Sequence, residues 1–311
     1  MTERKGLPQT AYKLMIVVAT MIWGLSFVVM KDAVGVMEPS WLIGIRFLLT
    51  TLILGLVFWK RLRASFGRSL LMGGVLLGVL LFAAYWTQTI GLKFTTPGKN
   101  AFLTAVYCVI VPFLFWAVAK RRPTIFNLSA AVLCVVGVGF VSLSGDDLSL
   151  GFGDGMTLVC SILFAAHIVA TALVAKHSDI MALTVVQFAV GGVLGIGVGL
   201  LTETPPDMTA LTPEFLFNMA YLVIFASCIG LGFQNAAVAK VPPSQAAILL
   251  SLESVFGVLS SVLLYGEQLT LSLGAGFLLI FFAVVLSEAF PLKKPPEEVD
   301  EAITEDAIAI D

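Results

Sequence analysis

The sequence predicts an all-α membrane protein of ten transmembrane helices, arranged as two inverted five-helix repeats. Three observations lead there. Hydrophobic residues make up 59% of the 311 residues and charged ones only 12%, with a mean hydropathy of +1.00. An ordinary soluble domain carries roughly twice that charge. Apolar runs close to the ~20 residues that cross a hydrocarbon core fill most of the chain. The runs also repeat at a long, nearly constant offset, five to a copy.

In chain order, the first run is Leu14 to Met30. It follows a basic start, but it is too long for a signal-peptide core and no small-residue cleavage site follows, so it reads as a span. Trp41 to Trp59 encloses Arg46, and Ser69 to Leu92 carries Tyr85, Trp86 and Gln88 toward its end. Lys99 to Ala119 opens after Pro97 and contains Pro112, and Ile125 to Leu143 closes the first five. Gly155 to Ala175 has His167 at its middle; Met181 to Leu201 carries a glycine every fourth residue from Gly191 to Gly199. Phe215 to Val238, Ser244 to Tyr265 and Leu269 to Phe290 complete the set. The runs are apolar throughout, whereas barrel strands alternate apolar and polar residues, which disfavours a β-barrel.

Orientation follows from the cytoplasmic bias of Lys and Arg. With the N-terminus inside, fourteen basic residues fall on the inner side (Arg4, Lys5, Lys13, Lys60, Arg61, Arg63, Arg68, Lys120, Arg121, Arg122, Lys176, Lys240, Lys293, Lys294). Only three, Lys31, Lys93 and Lys99, fall outside. An even span count returns the C-terminus to the cytoplasm, so a multi-pass protein of the cell membrane with both ends inside is expected. The organisation is a cytoplasmic N-terminus (1–13), a first repeat (14–143), an outer connecting loop (144–154), a second repeat (155–290) and an acidic, solvated tail (291–311).

A net charge of −2 gives no global basic field to hold nucleic acid. Cys108, Cys134, Cys160 and Cys228 sit apart inside apolar runs without CxxC spacing, which predicts buried thiols rather than a disulfide framework or a metal site. No cofactor is expected.

A shift of 146 positions lays Tyr85 to Thr124 over Leu231 to Thr270 without a gap. Gln88 meets Gln234, Pro97 meets Pro243 and Thr124 meets Thr270, so polar and turn residues coincide. A shift of 141 aligns the opening helices, Trp23 with Phe164, Ser26 with His167 and Arg46 with Gln187. Five spans per copy is odd, so the second copy inserts upside down. Inverted repeats of this kind place a substrate site near the midplane, and rocking one half against the other opens it to each side in turn.

TrpGlyLeuSerPheValValMetLys (23–31), GlyIleArgPhe (44–47), GlnThrIleGlyLeuLysPheThrThr (88–96), AlaPheLeuThrAlaValTyr (101–107), AlaIleLeuLeuSerLeuGluSerValPhe (247–256) and TyrGlyGlu (265–267) resemble the EamA family of the drug/metabolite transporter superfamily. The resemblance runs from about Lys13 to Phe290. It implies a ten-helix, inverted-repeat permease, usually an exporter of amino acids or other small metabolites. One departure stands out: LeuGluSer (252–254) replaces the family's LeuGluPro, which puts bending at Ser254 in doubt, while Pro112 remains in the matching helix.

Ionisable residues within spans mark candidate transport sites. Glu253 lies near mid-depth of the ninth span, as a proton carrier, a partner for a substrate amine, or a packing carboxyl. Arg46 is either a structural anchor, snorkelling outward and paired with Glu38, or a clamp on a substrate carboxylate. His167 is a second candidate for proton coupling, or a hydrogen-bonded core residue; Ser26, its counterpart, is expected to share its cavity. Gln88 and Gln234 are expected near opposite faces, lining gates or packing helices. Trp23, Phe27, Tyr85, Trp86 and Tyr107 offer an aromatic cavity wall or interfacial anchors.

Glycines four apart, Gly191, Gly195 and Gly199 with Gly74 and Gly78, allow close helix contact within the fold or in a homodimer. An enzyme is not expected: HExxH, GxSxG and Walker patterns are missing, and ThrThrProGlyLysAsn (95–100) fails as a phosphate loop because Lys93 stands where its first glycine is needed. The expected partners are the lipid bilayer and a small-molecule substrate, probed by alternating access. A passive channel with the same fold is the alternative.

Overall fold

The structure is a computed structural model that describes residues 8–120, 122–142, 151–175, 178–207, 209, 211–238 and 243–289. Arg4, Lys5, Arg121, Lys176, Lys240, most of the connecting loop and the acidic tail with Lys293 and Lys294 lie outside the described residues.

Among the described residues every regular element is helical. They are α1 (Gln9–Val36), α2 (Pro39–Val57), α3 (Trp59–Ala64), α4 (Arg68–Phe94), α5 (Pro97–Ala105), α6 (Tyr107–Ala119) and α7 (Ile125–Ser142), then α8 (Phe152–Val174), α9 (Ile180–Thr202), α10 (Pro213–Ala220), α11 (Gly230–Val238), α12 (Pro243–Ser260) and α13 (Leu271–Ala289). A π-helical stretch, Tyr221–Ile229, joins α10 to α11, and another, Ser261–Tyr265, extends α12. Seven helical stretches are long and apolar enough to cross a membrane, and the other predicted runs fall on shorter apolar helices at Ile125–Val141, Leu252–Tyr265 and Leu271–Ser287. The chain is therefore a multi-span helical membrane protein.

Local chemistry sets the helix ends. Pro39, Pro97 and Pro213 each stand in a first turn, where a missing N–H costs nothing. Thr96, Asp179 and Thr212 cap the first turns of α5, α9 and α10 with side-chain oxygens. Several boundaries differ from expectation: α1 runs beyond Leu14 to Met30 at both ends, α3 adds a short helix after the second run, and a π-helical stretch divides Phe215 to Val238. α8 begins at Phe152, so Asp154, expected in the connecting loop, stands in its first turn, where a carboxylate complements the helix dipole. The run Lys99 to Ala119 is broken at Val106, ahead of Pro112, whose ring removes the backbone bond to Cys108 and loosens the preceding turn. In the second copy α12 runs straight through Ser254, and the helical register loosens only at Ser261.

The most extensive packing joins the two halves of the chain: α4 on α8, α7 on α13, α2 on α9 and α1 on α12. Small residues set the closeness. A Cβ on Gly195 would lie 2.6 Å from the Gly44 Cα, so α2 and α9 meet backbone to backbone. Gly191 and Gly199 receive the Phe47 and Trp41 rings on the same face, and Gly74 and Gly78 receive Val186 and Val190 of α9. Both glycine stripes are thus occupied inside the chain. The contact between protomers that they also allowed loses its sequence motive.

Candidate functional site

The candidate site lies between the halves, where α4, α5, α6 and α8 approach α2, α12 and the π-helical stretch. Glu253 opens onto a small cavity of about 10 Å³, room for roughly one water, lined also by Ala101, Thr104, Tyr107, Leu250 and Ser254. Ser254, the departure from the family's proline, is itself buried in this lining. The Gln88 amide donates to the Thr104 hydroxyl at 3.1 Å, so Gln88 backs the cavity through Thr104. Asn100 ties the same corner to α8, its amide donating to the Thr157 hydroxyl at 2.8 Å and to the Gln88 carbonyl at 3.2 Å.

Three rings lead from the cavity to Arg46. Tyr107 lies 6.3 Å from Phe164, and Phe164 packs edge-on against Tyr85 at 5.2 Å. The Arg46 guanidinium stands 5.1 Å over the Tyr85 ring and 5.9 Å over Phe47. Glu253 and Arg46 both interact electrostatically with Tyr85, and no ion pair joins the two among the described residues. Two ionisable groups of opposite type therefore stand at the two ends of one row of rings.

Arg46 does not snorkel outward, and Glu38 is not its partner. It is 3% exposed, its Nε–H donates to the Ser227 hydroxyl at 3.0 Å, and Glu38 instead pairs with Lys93 at 2.7 Å. The reason is local. The π-helical stretch turns Ser227 inward, its hydroxyl donating to the Leu222 carbonyl at 2.9 Å, and offers Arg46 an acceptor nearer than the surface. Neighbouring side chains hold that stretch: the Trp23 indole donates to the Ala226 carbonyl at 2.7 Å, and the Tyr221 hydroxyl donates to the Ile22 carbonyl at 2.9 Å. Such stretches recur at functional sites because they expose backbone groups that an α-helix would use itself.

Other expected residues take different places. Ser26 donates to the Trp23 carbonyl at 2.7 Å within its own helix, and the His167 ring pairs with the Gln187 amide oxygen at 2.9 Å. Neither lines the cavity, so the structure does not bring Ser26 and His167 together there. Gln234 lies on α11, also outside the lining. Trp86 turns away from the wall to donate to the Ser40 hydroxyl at 2.9 Å, and Phe27 packs beneath Gly257. Sequence reasoning passed over Phe164, Thr104 and Ser227. The offset pairing of Phe164 with Trp23 was a usable signal for the first, and Thr104 stands within the 101–107 motif; nothing local marks Ser227.

A family model described as the EamA-like transporter family matches residues 10–143 and again 151–288. The chain belongs to this family. Among the relatives of this EamA-like chain is an "Uncharacterized transporter" of Archaeoglobus fulgidus, 29% identical, aligned over 91% of this chain and 87% of the relative. A "Probable amino-acid metabolite efflux pump" of Salmonella typhimurium is 25% identical over 86% of this chain and 91% of its own. A crystal structure at 16% identity superposes with a TM-score of 0.63, covering 89% of this chain and 96% of its own, and shares its fold. Family and relatives indicate a transporter rather than an enzyme.

Proposed function

We propose that this EamA-like protein is an alternating-access exporter of amino acids or related small metabolites, built as ten spans in two inverted repeats with both ends in the cytoplasm. The observation that carries the reading is Glu253, facing a small cavity between halves that pack helix against helix. A small cavity with an ionisable group in its wall, set where the two halves meet, supports a carrier whose substrate path runs between the halves.

The inverted repeat has support beyond hydropathy. The family model matches twice. The left-handed residues Lys120 (φ 55°) and Gly266 (φ 75°) each end a helix at equivalent positions of the 146-residue alignment. Thr124 and Thr270, also equivalent, cap the next helix through the same bond, from Asn127 N–H at 3.3 Å and Leu273 N–H at 3.2 Å.

In this reading Arg46 binds a substrate carboxylate across the Tyr85 face, and Glu253 takes the amine or exchanges a proton. Arg46 as a purely structural anchor stays the competing role, since Ser227 already holds its Nε. His167, bonded to Gln187, is the weaker candidate for proton coupling.

The test is transport in proteoliposomes with an imposed pH gradient and a panel of labelled amino acids. Gradient-driven uptake in the wild type and its loss in Glu253→Gln are expected. Uptake indifferent to the gradient removes proton coupling. Missing counterflow of labelled against unlabelled substrate makes a facilitating channel the better account.

A further inference from the structure

Three carboxylates of the second half take hydrogen bonds from the first half at one end of the molecule. Glu267, 9% exposed, accepts from the Thr96 hydroxyl, from the Gly98 N–H at 3.0 Å and from the Ser261 hydroxyl of its own half. It thereby caps the N-terminus of α5, a charge-assisted arrangement that the helix dipole favours. A Cβ on Gly98 would lie 2.4 Å from the Glu267 Oε2, so only glycine admits the carboxylate this closely. Glu203, at the end of α9, accepts from the Ser40 N–H at 3.0 Å, the Ser40 hydroxyl at 2.6 Å and the Trp41 N–H at 3.3 Å, capping α2. Asp154, 4% exposed, accepts from the Thr95 hydroxyl at 2.7 Å and faces Lys99 at 3.9 Å.

The symmetry of the chain makes this end unlike the other. At the repeat offsets Glu267 corresponds to Arg121, Glu203 to Leu62 and Asp154 to Lys13. One donor is lost too: Thr96 corresponds to Pro242, which has no N–H and no hydroxyl. At the opposite end, the contacts between halves among the described residues include the buried Asn127 amide donating to the Ser287 carbonyl and hydroxyl at 3.3 and 3.2 Å, Ser69 against Ser178 at 3.3 Å, and the partly exposed pair of Arg61 with Asp179 at 3.7 Å; the buried bonds there are between neutral groups, and the ion pair is worth little.

We infer that Asp154, Glu203 and Glu267 form a one-sided latch that holds the end of the protein bearing Thr96 closed. The latch rests on the alternating-access reading: charge-assisted bonds close one end and neutral ones the other, so the unloaded carrier favours opening at the Arg61 end. By the charge bias of the loops that end is cytoplasmic, where an exporter collects its cargo.

Distances between nitroxide pairs test it on the full chain in lipid, with the four native cysteines, Cys108, Cys134, Cys160 and Cys228, replaced by alanine. One pair is attached through Phe94→Cys and Leu271→Cys, the other through Phe66→Cys and Leu173→Cys, all at exposed positions. Glu267→Gln keeps the volume but sets an amide against the Gly98 N–H; Thr96→Val is the milder variant. Each is expected to add a longer 94/271 distance, raising the open-to-closed ratio at that end by about tenfold or more for Glu267→Gln, while the 66/173 pair shortens. Unchanged distances in both variants overturn the latch. Broadening of both pairs together marks a purely structural role and equally overturns it. The transport assay reports separately on whether the protein is a carrier.

Discussion

At the scale of the residue, the two charges within spans, Arg46 and Glu253, have different surroundings. Arg46 has a hydroxyl and two ring faces for partners, while Glu253 opens on a cavity. A guanidinium over Tyr85 uses its planar face, which an ammonium cannot reproduce. Arg46→Lys is therefore expected to keep the charge but lose the stacking and the bond to Ser227. If Arg46 clamps substrate, the apparent KM rises tenfold or more with little change in melting temperature; if it only anchors α2 to the π-helical stretch, stability falls by roughly 1.5–3 kcal/mol with KM unchanged. Transport kinetics and thermal unfolding of the same preparation separate the two roles.

At the scale of the element, helix contacts set by glycine explain how so apolar a chain acquires one packing. Apolar surface gains nothing from leaving lipid, so close van der Waals approach between helices has to select the contact. Gly195 and Gly197 share a helix and differ in this respect. A Cβ at 195 would meet the backbone of α2 at 2.6 to 2.9 Å, whereas nothing lies within 4 Å of one at 197. Gly195→Val is expected to force α2 from α9 and cost about 1–3 kcal/mol or more. Gly197→Ala is expected to be neutral or to stabilise by up to about 1 kcal/mol through helix propensity. Thermal unfolding in detergent checks both.

At the scale of the whole molecule, the two ends hold their cations differently. The Lys31 ammonium donates to the Leu92 and Thr95 carbonyls at 2.7 and 2.8 Å, and Lys93 and Lys99 face Glu38 and Asp154. At the other end the short helix α3 carries Arg61 and Arg63 at its exposed surface. In intact cells an impermeant maleimide is expected to label Leu271→Cys and to spare Phe66→Cys until the membrane is opened. The reverse pattern would invert the orientation and, with it, the direction assigned to the latch.

The sequence by itself determined the helical membrane class, the family and the candidate charges, because burying an unpaired backbone or a lone ionisable group in lipid costs so much that composition must declare both. Glu253 was legible for that reason, and so was the helix start at Pro97. Long-range partners were not legible, since a hydroxyl such as Ser227 or Thr104 looks alike whether it bonds its own helix or receives another. Nor did the sequence distinguish solvated acids in loops from Glu267 and Asp154, which the tertiary structure buries against the opposite half. Only the tertiary structure decided that Arg46 turns inward to Ser227 and that the glycine stripes face α2 and α9 within one chain, because both depend on which helices become neighbours.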